Sequence, residues 1–243
     1  MIIDTIFLML FIECGGCKIK ESIYNKSYYK TYKEAFSLKQ PLNVETTPIT
    51  LLIKAMSQLS AKVELGYFIA KQTIRINTLE FKEDEVKLKS SIEKVRQTQS
   101  INYLTCSCEI SKLSERLAEL KTTLIKKKDD VSKEKFNNKE TSYICDINKE
   151  FFRTITKDEV LKFSHISGDP NYIHKGEKPI VQAMLILLLL EDYLALKEIY
   201  MYNCEISYIN PIPSDSNIFL CWQDCKKLLG IVNNKICFKL IFK

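Results

Sequence analysis

Histidine, glycine and proline are all scarce in this chain of 243 residues, with two His, six Gly and six Pro. So little glycine and proline excludes a collagen-like or linker-dominated architecture, and no solenoid-type period is visible. Long apolar runs are missing too. The longest, Ala183 to Leu190, covers eight residues, against the ~20 that a bilayer-spanning helix needs, so no membrane span is expected. The apolar start from Ile6 to Ile12 lacks a positive n-region and follows Asp4, which argues against a secretory signal and for a buried strand. Nor is there a basic stripe interleaved with aromatics. The 36 Lys+Arg and 30 Asp+Glu give a net charge of +6, which argues against a nucleic-acid surface and only permits an anionic ligand.

What is present is ordinary core-forming composition, 46% hydrophobic and 27% charged, in a length that suits two modest domains. Nine cysteines form an odd set without a regular framework, so free thiols in a reducing, cytoplasmic setting are expected. Cys14-Gly-Gly-Cys17 and Cys106-Ser-Cys108 could bring four thiolates to zinc, but the second pair has the wrong spacing for a zinc ribbon. No metal and no cofactor are expected.

Thr47-Pro48 reads as an N-cap followed by proline at the first helical position. Leu52, Met56, Leu59 and Val63 then form one apolar stripe ending at Gly66, which predicts an amphipathic helix. From Phe68 to about Ile110 the period changes to two, with Lys82 to Glu85 as a turn, which predicts an antiparallel meander. Residues 113–140 are dense in charge and read as a connector with a helical first part. Lys126, Lys127 and Lys128 in it could attract phosphates, although a solvated linker face is the simpler reading. In the second half Thr156 and Glu159 form a capping-box pair before a short helix, Lys157 to His165. Pro179 is expected to open a helix that is apolar nearly all round through about Leu196. Three strands follow, within residues 200–209, 216–225 and 235–243. Each half is thus a buried helix with an antiparallel sheet, an α+β organisation.

Chemistry concentrates in Phe163 to Met184, FSHISGDPNYIHKGEKPIVQAM. Asp169 and His174 lie five positions apart on a turn-rich segment leading to a helix start. A carboxylate and an imidazole can hold a water between them as an acid/base device, and free N–H groups at a helix start can stabilise charge on a carbonyl oxygen. Such a pair near a turn also commonly just satisfies backbone groups.

The string Ser-Gly-Asp-x-Asn-x-Ile-His, with Thr156-x-Asp158 and Phe163 before it and Asn210-Pro-Ile-Pro-x-Asp215 after it, resembles the hydratase motif of the MaoC-like (R)-specific enoyl thioester hydratases and dehydratases. The resemblance covers roughly residues 154–219. It implies a hot-dog fold, a long helix wrapped by a curved antiparallel sheet. It also implies reversible addition of water to trans-2-enoyl thioesters of coenzyme A or acyl carrier protein in fatty acid or related acyl metabolism.

Carried over position by position, Asp169 and His174 match the catalytic pair, and Ser167, Gly168 and Asn171 the residues that shape the loop. The family's His-Gly-Met stands here as Gln182-Ala183-Met184, so the resemblance puts the oxyanion-donating N–H at Ala183, with Gln182 beside the substrate. Tyr172 replaces the usual proline, and the segment from His174 to the helix is short. The first half contains no histidine and no such motif.

The expectation is therefore a double hot dog. It comprises an N-terminal unit at 1–125 without catalytic residues that lines the acyl tunnel, a charged linker at 126–145 and a MaoC-like unit at 146–243. Pairing of two such chains is left open. The alternatives are a non-catalytic acyl-binding subunit on the same fold, or a hot-dog thioesterase. His165 is expected at the surface or in packing, Asp215 in a structural turn, and Tyr200, Tyr202 and Tyr208 in strand cores.

Overall fold

The computed structural model describes residues 10–14, 17–24, 28–39, 46–79, 86–128 and 149–243. The first half runs β1 (Leu10–Cys14), β2 (Cys17–Tyr24), α1 (Tyr28–Phe36), α2 (Pro48–Ser57), β3 (Phe68–Ile76), β4 (Val86–Gln97), β5 (Ile101–Lys112) and β6 (Glu115–Lys127). The second runs β7 (Glu150–Thr154), α3 (Lys157–Ser167), α4 (Ala183–Ala195), β8 (Asn203–Tyr208), β9 (Asn217–Asp224), β10 (Lys227–Val232) and β11 (Lys235–Phe242).

Both expected capping residues start their helices. The Thr47 hydroxyl accepts from the Thr50 N–H at 3.3 Å, with Pro48 in the first turn of α2. At α3 the Thr156 hydroxyl accepts from the Glu159 N–H at 3.2 Å, and the Glu159 carboxylate reaches back to the Thr156 N–H at 2.9 Å. Helix α2 stops at Ser57, short of Gly66. The Ser57 and Ser60 hydroxyls fold back onto the carbonyls of Lys54 and Ser57, and the chain continues through three-residue turns.

Helix α4 starts at Ala183 rather than at Pro179. The Ile180 N–H is taken by the Ile173 carbonyl and the Val181 N–H by that of Ile212, so this stretch is held extended and bridged to Pro213. The charge-dense stretch after Leu113 is not helical but forms β6. Its alternate residues Leu120, Thr122 and Leu124 are buried, while its charged side chains pair across the strands, Arg116 with Glu109 at 3.0 Å and Glu119 with Arg75 at 3.8 Å. Residues 129–148, the expected turn at Lys82 to Glu85 and the opening residues up to Met9 lie outside the described residues.

All eleven described strands form one antiparallel sheet in the order β1-β2-β4-β5-β6-β3-β8-β11-β10-β9-β7. First-half strands stand on one side and second-half strands on the other, joined where β3 pairs with β8 in the register Gln72↔Ile206 and Ile74↔Cys204. Strand β10, unexpected from the sequence, turns into β11 at Asn233 and Asn234, both at positive φ (48° and 59°), as a tight hairpin requires. At Gly230 an added Cβ would lie 2.0 Å from the Phe238 ring, so only glycine lets that ring close on β10. One core runs through both halves, taking Leu51 and Leu52 from α2 and Leu185 and Leu187 from α4.

The two central helices also meet through polar groups. Glu191 of α4 is buried against the start of α2, where the Thr47 hydroxyl donates to its Oε2 at 2.7 Å. Its neighbour Asp192 accepts the Lys39 N–H at 2.8 Å. Burial pushes the Glu191 carboxyl up to about 8, against the lowering effect of the Thr47 hydroxyl and the Ile49 N–H, and the Asp192 charge adds to the rise. A folded-state value above the unfolded one means that the fold binds the extra proton, so stability is lost as pH rises from about 4.5 to 8. Glu191→Gln is expected to flatten that decline, as read from urea midpoints measured across this range.

Candidate active site

Helix α3 ends where the motif begins. The Ser167 hydroxyl donates to the Phe163 carbonyl at 2.7 Å, and Gly168, at φ 69°, takes the left-handed conformation that closes the helix. The Gly168 and Asp169 N–H groups both turn back to the Ser164 carbonyl. This frees the Asp169 side chain to accept the Asn171 N–H on Oδ1 at 3.0 Å, an Asx turn. A 3₁₀ turn, Tyr172–His174, then carries the imidazole back beside the carboxylate.

His174 Nε2 lies 3.4 Å from Asp169 Oδ2, and its Nδ1 is 2.6 Å from the Ile180 carbonyl oxygen. That carbonyl can only accept, so the ring's Nδ1 carries a proton. Burial pushes the His174 pKa below its ordinary value of 6.5, while Asp169 and the Ile180 carbonyl push in the opposite direction and only partly offset it. A neutral ring protonated at Nδ1 leaves Nε2 as an acceptor facing the carboxylate. Two acceptors side by side call for a donor to both, and water is the smallest one.

The pair stands on the wall of a cavity of about 510 Å³ lined from both halves. Apolar residues dominate, among them Ile53, Met56 and Phe68 from the first half and Ile173, Ile186 and Ile212 from the second. Of the residues picked out in the sequence, Ser167, Asp169, Asn171, His174, Gln182 and Ala183 line this cavity. Gly168 does not reach the wall; it serves the helix end. Gln182 is turned to α3, donating to the Val160 carbonyl at 2.9 Å and to Ser164 Oγ at 2.7 Å, while its Oε1 is buried without a protein partner. No side chain caps the first turn of α4 from that position, which leaves the Ala183 end of the helix open to a ligand's negative charge.

His165 is exposed. Asp215 accepts the Lys157 N–H at 3.3 Å, a link within the fold. Lys127 borders the cavity, and Lys126 is tied to Glu64 at 3.0 Å beside it. The lysines at the end of β6 are thus fixed near the cleft by the strand, contrary to their reading as solvated linker.

The sequence reasoning missed Gln72, buried in β3, and the polar side of Tyr208. The Tyr208 hydroxyl is 2.8 Å from Gln72 Oε1 and 2.9 Å from the Ala183 carbonyl. A signal was there: in β3 the inward positions are Gln72, Ile74 and Ile76, and a glutamine on a core-facing position asks for a partner.

Asn171 joins the motif loop to the first half, donating from Nδ2 to the Tyr67 carbonyl at 2.8 Å and accepting the Gly66 N–H at 3.3 Å. Asn171→Ala is expected to cost about 1–2 kcal/mol for these two bonds. Urea unfolding monitored by far-ultraviolet circular dichroism checks it.

No protein-family model matches the sequence, and no curated protein matches it. Solved structures do. HtdX from Mycobacterium tuberculosis superposes with a TM-score of 0.65 at 13% identity, covering 89% of this chain and 95% of the other. A MaoC-like dehydratase gives 0.64 at 12% identity, covering 90% and 96%. An oleoyl thioesterase from Lactobacillus plantarum gives 0.56 at 11% identity, covering 93% and 95%. At such identities the likeness is one of fold alone, the fold that these dehydratase and thioesterase structures share.

Proposed function

We propose that this chain is a lyase that adds water reversibly to a trans-2-enoyl thioester, giving the 3-hydroxyacyl thioester. The observation that carries the reading is the Asp169–His174 pair, 3.4 Å apart on the wall of an apolar cavity beside the open start of α4. Water donates one hydrogen to Asp169 and the other to His174 Nε2. As the water oxygen bonds to C3, Asp169 takes one proton, and electron density moves through C2 onto the thioester oxygen, held by the Ala183 N–H. The proton then passes to C2 and restores the carboxylate. With Nδ1–H bound to the Ile180 carbonyl, His174 offers Nε2 to the water and acts as an orienting acceptor.

Two hot-dog units in one chain supply the cavity. The first, which takes in the strands up to β6, lends apolar wall; the second carries the motif. The acyl group lies among the apolar side chains, and its carrier, coenzyme A or acyl carrier protein, enters past the lysines of β6. Cys106, Cys108, Cys204, Cys221, Cys225 and Cys237 are free thiols, which fits a reducing, cytoplasmic setting.

Crotonyl-coenzyme A and a longer trans-2-enoyl homologue are the test substrates, followed by loss of the enoyl-thioester absorbance. Asp169→Asn is expected to fold normally and to lose turnover by about 10²- to 10⁴-fold, the range for a positioned acid/base group; retained turnover removes Asp169 from the role. Turnover of the unaltered protein is expected to fall on the acid side, through a His174 pKa lying below 6.5, because protonated Nε2 no longer accepts from water. A pH–rate profile in which His174→Gln keeps the same acid limb contradicts this.

The likeness to an oleoyl thioesterase supports a second reading, hydrolysis of the thioester on the same scaffold. Release of free thiol from a saturated acyl thioester separates the two.

A further inference from the structure

The hydratase reading leaves one matter open: what holds the Ala183 N–H in place in a helix entry that lacks the motif's histidine and glycine. The first turn of α4 is gripped from two sides. On the α3 side Gln182 is bound to Val160 and Ser164. On the sheet side the Tyr208 hydroxyl meets the Ala183 carbonyl at 2.9 Å and Gln72 Oε1 at 2.8 Å, and Gln72 Nε2 meets Met184 Sδ at 2.8 Å and Thr122 Oγ1 at 3.5 Å. Gln72 is wholly buried. The grip crosses the β3–β8 seam, since Gln72 belongs to one half and Tyr208 to the other.

A phenol has one proton, so the hydroxyl donates to either the carbonyl or the amide oxygen. With Gln72 Nε2 donating to Met184 Sδ and Thr122 Oγ1, its Oε1 can only accept, and the one hydroxyl proton of Tyr208 is shared between that oxygen and the Ala183 carbonyl. Burial raises the Tyr208 pKa well above its ordinary value, so the hydroxyl keeps its proton.

Resting on the hydratase reading, we propose that Tyr208 and Gln72 are positioning residues that fix the Ala183 N–H against the substrate carbonyl. The Ala183 carbonyl belongs to the same residue as the donor N–H. Anchoring that oxygen sets where the first turn of α4 stands relative to the cavity, and through it the direction of the N–H. The N–H needs such an anchor because only donors placed before the reaction stabilise developing charge without reorganisation. The first half, which has no histidine, thereby takes part in the chemistry through a glutamine on its last-paired strand.

The test uses Tyr208→Phe, Gln72→Leu and the double variant in the full chain, with crotonyl-coenzyme A for turnover. The same substitutions in an Asp169→Asn background, which binds without turnover, report carbonyl polarisation as the red shift of bound 2,4-hexadienoyl-coenzyme A. Each single variant is expected to lower kcat by about 10- to 100-fold, the scale of a misplaced donor, with KM changed less than about twofold. Each is also expected to diminish the red shift, and the double variant to be no worse than the poorer single one, since the two residues form one chain of contacts. If Tyr208→Phe does not fold, Gln72→Leu and Gln72→Glu carry the comparison. Unchanged kcat and unchanged red shift with only a lower melting temperature overturn the positioning role and leave the hydratase reading standing. Absence of hydration by the unaltered protein overturns both.

Discussion

Everything in this molecule depends on the pairing of β3 with β8. Five residue pairs, Lys71↔Ser207 to Arg75↔Asn203, join two sets of strands into one continuous sheet. Without that register the cavity would lack a wall, because Phe68 and Ile69 come from β3 and Tyr208 from β8. The seam also sets the distance between α2 and α4, which touch through the Thr47 hydroxyl and the Glu191 carboxylate. Backbone pairing fixes position along the strand, and the polar contacts between the helices then settle how the halves face each other.

The Asp169–His174 pair shows how a fold sets two acceptors side by side and withholds a donor from them. Asp169 has one oxygen occupied by a backbone N–H and the other left beside an imidazole that burial keeps neutral. Either group alone would be an ordinary acceptor. Placed together, at the edge of an apolar cavity, they form a polar concavity that only a small donor satisfies. The same economy governs α4, whose opening turn is held by side chains that bind its flanks and leave its N–H end for a ligand.

Local signals were legible in the sequence wherever their partners are also local. Thr47 with Pro48, and Thr156 with Glu159, find their partners within three residues, so composition alone located both helix starts. Spacing placed Asp169, Asn171 and His174 on one turn-rich segment, but it was the resemblance to a known motif that singled them out. Where distant bonds decide, the reading failed. Pro179 would start a helix if Ile180 and Val181 were not already bonded to Ile173 and Ile212. Strand β6 was taken for a helical connector because its charges hide a period of two that appears only when Glu109, Arg75 and Glu93 stand across from it. Strand β10, with a glycine and few alternating residues, is defined by Phe238 on its neighbour. The contacts of Gln72 with Tyr208 and Met184 span more than a hundred residues, and no spacing rule connects them.

The seam has a further consequence for how the cleft survives dilution. A strand edge left open invites a second copy, and two half-sized chains would rebuild this sheet only at a concentration that sustains their encounter. Here both edges belong to one covalent chain, so the partner is always present at the high effective concentration of a tether. The cleft between the halves is therefore built within one chain, and its wall needs no second copy.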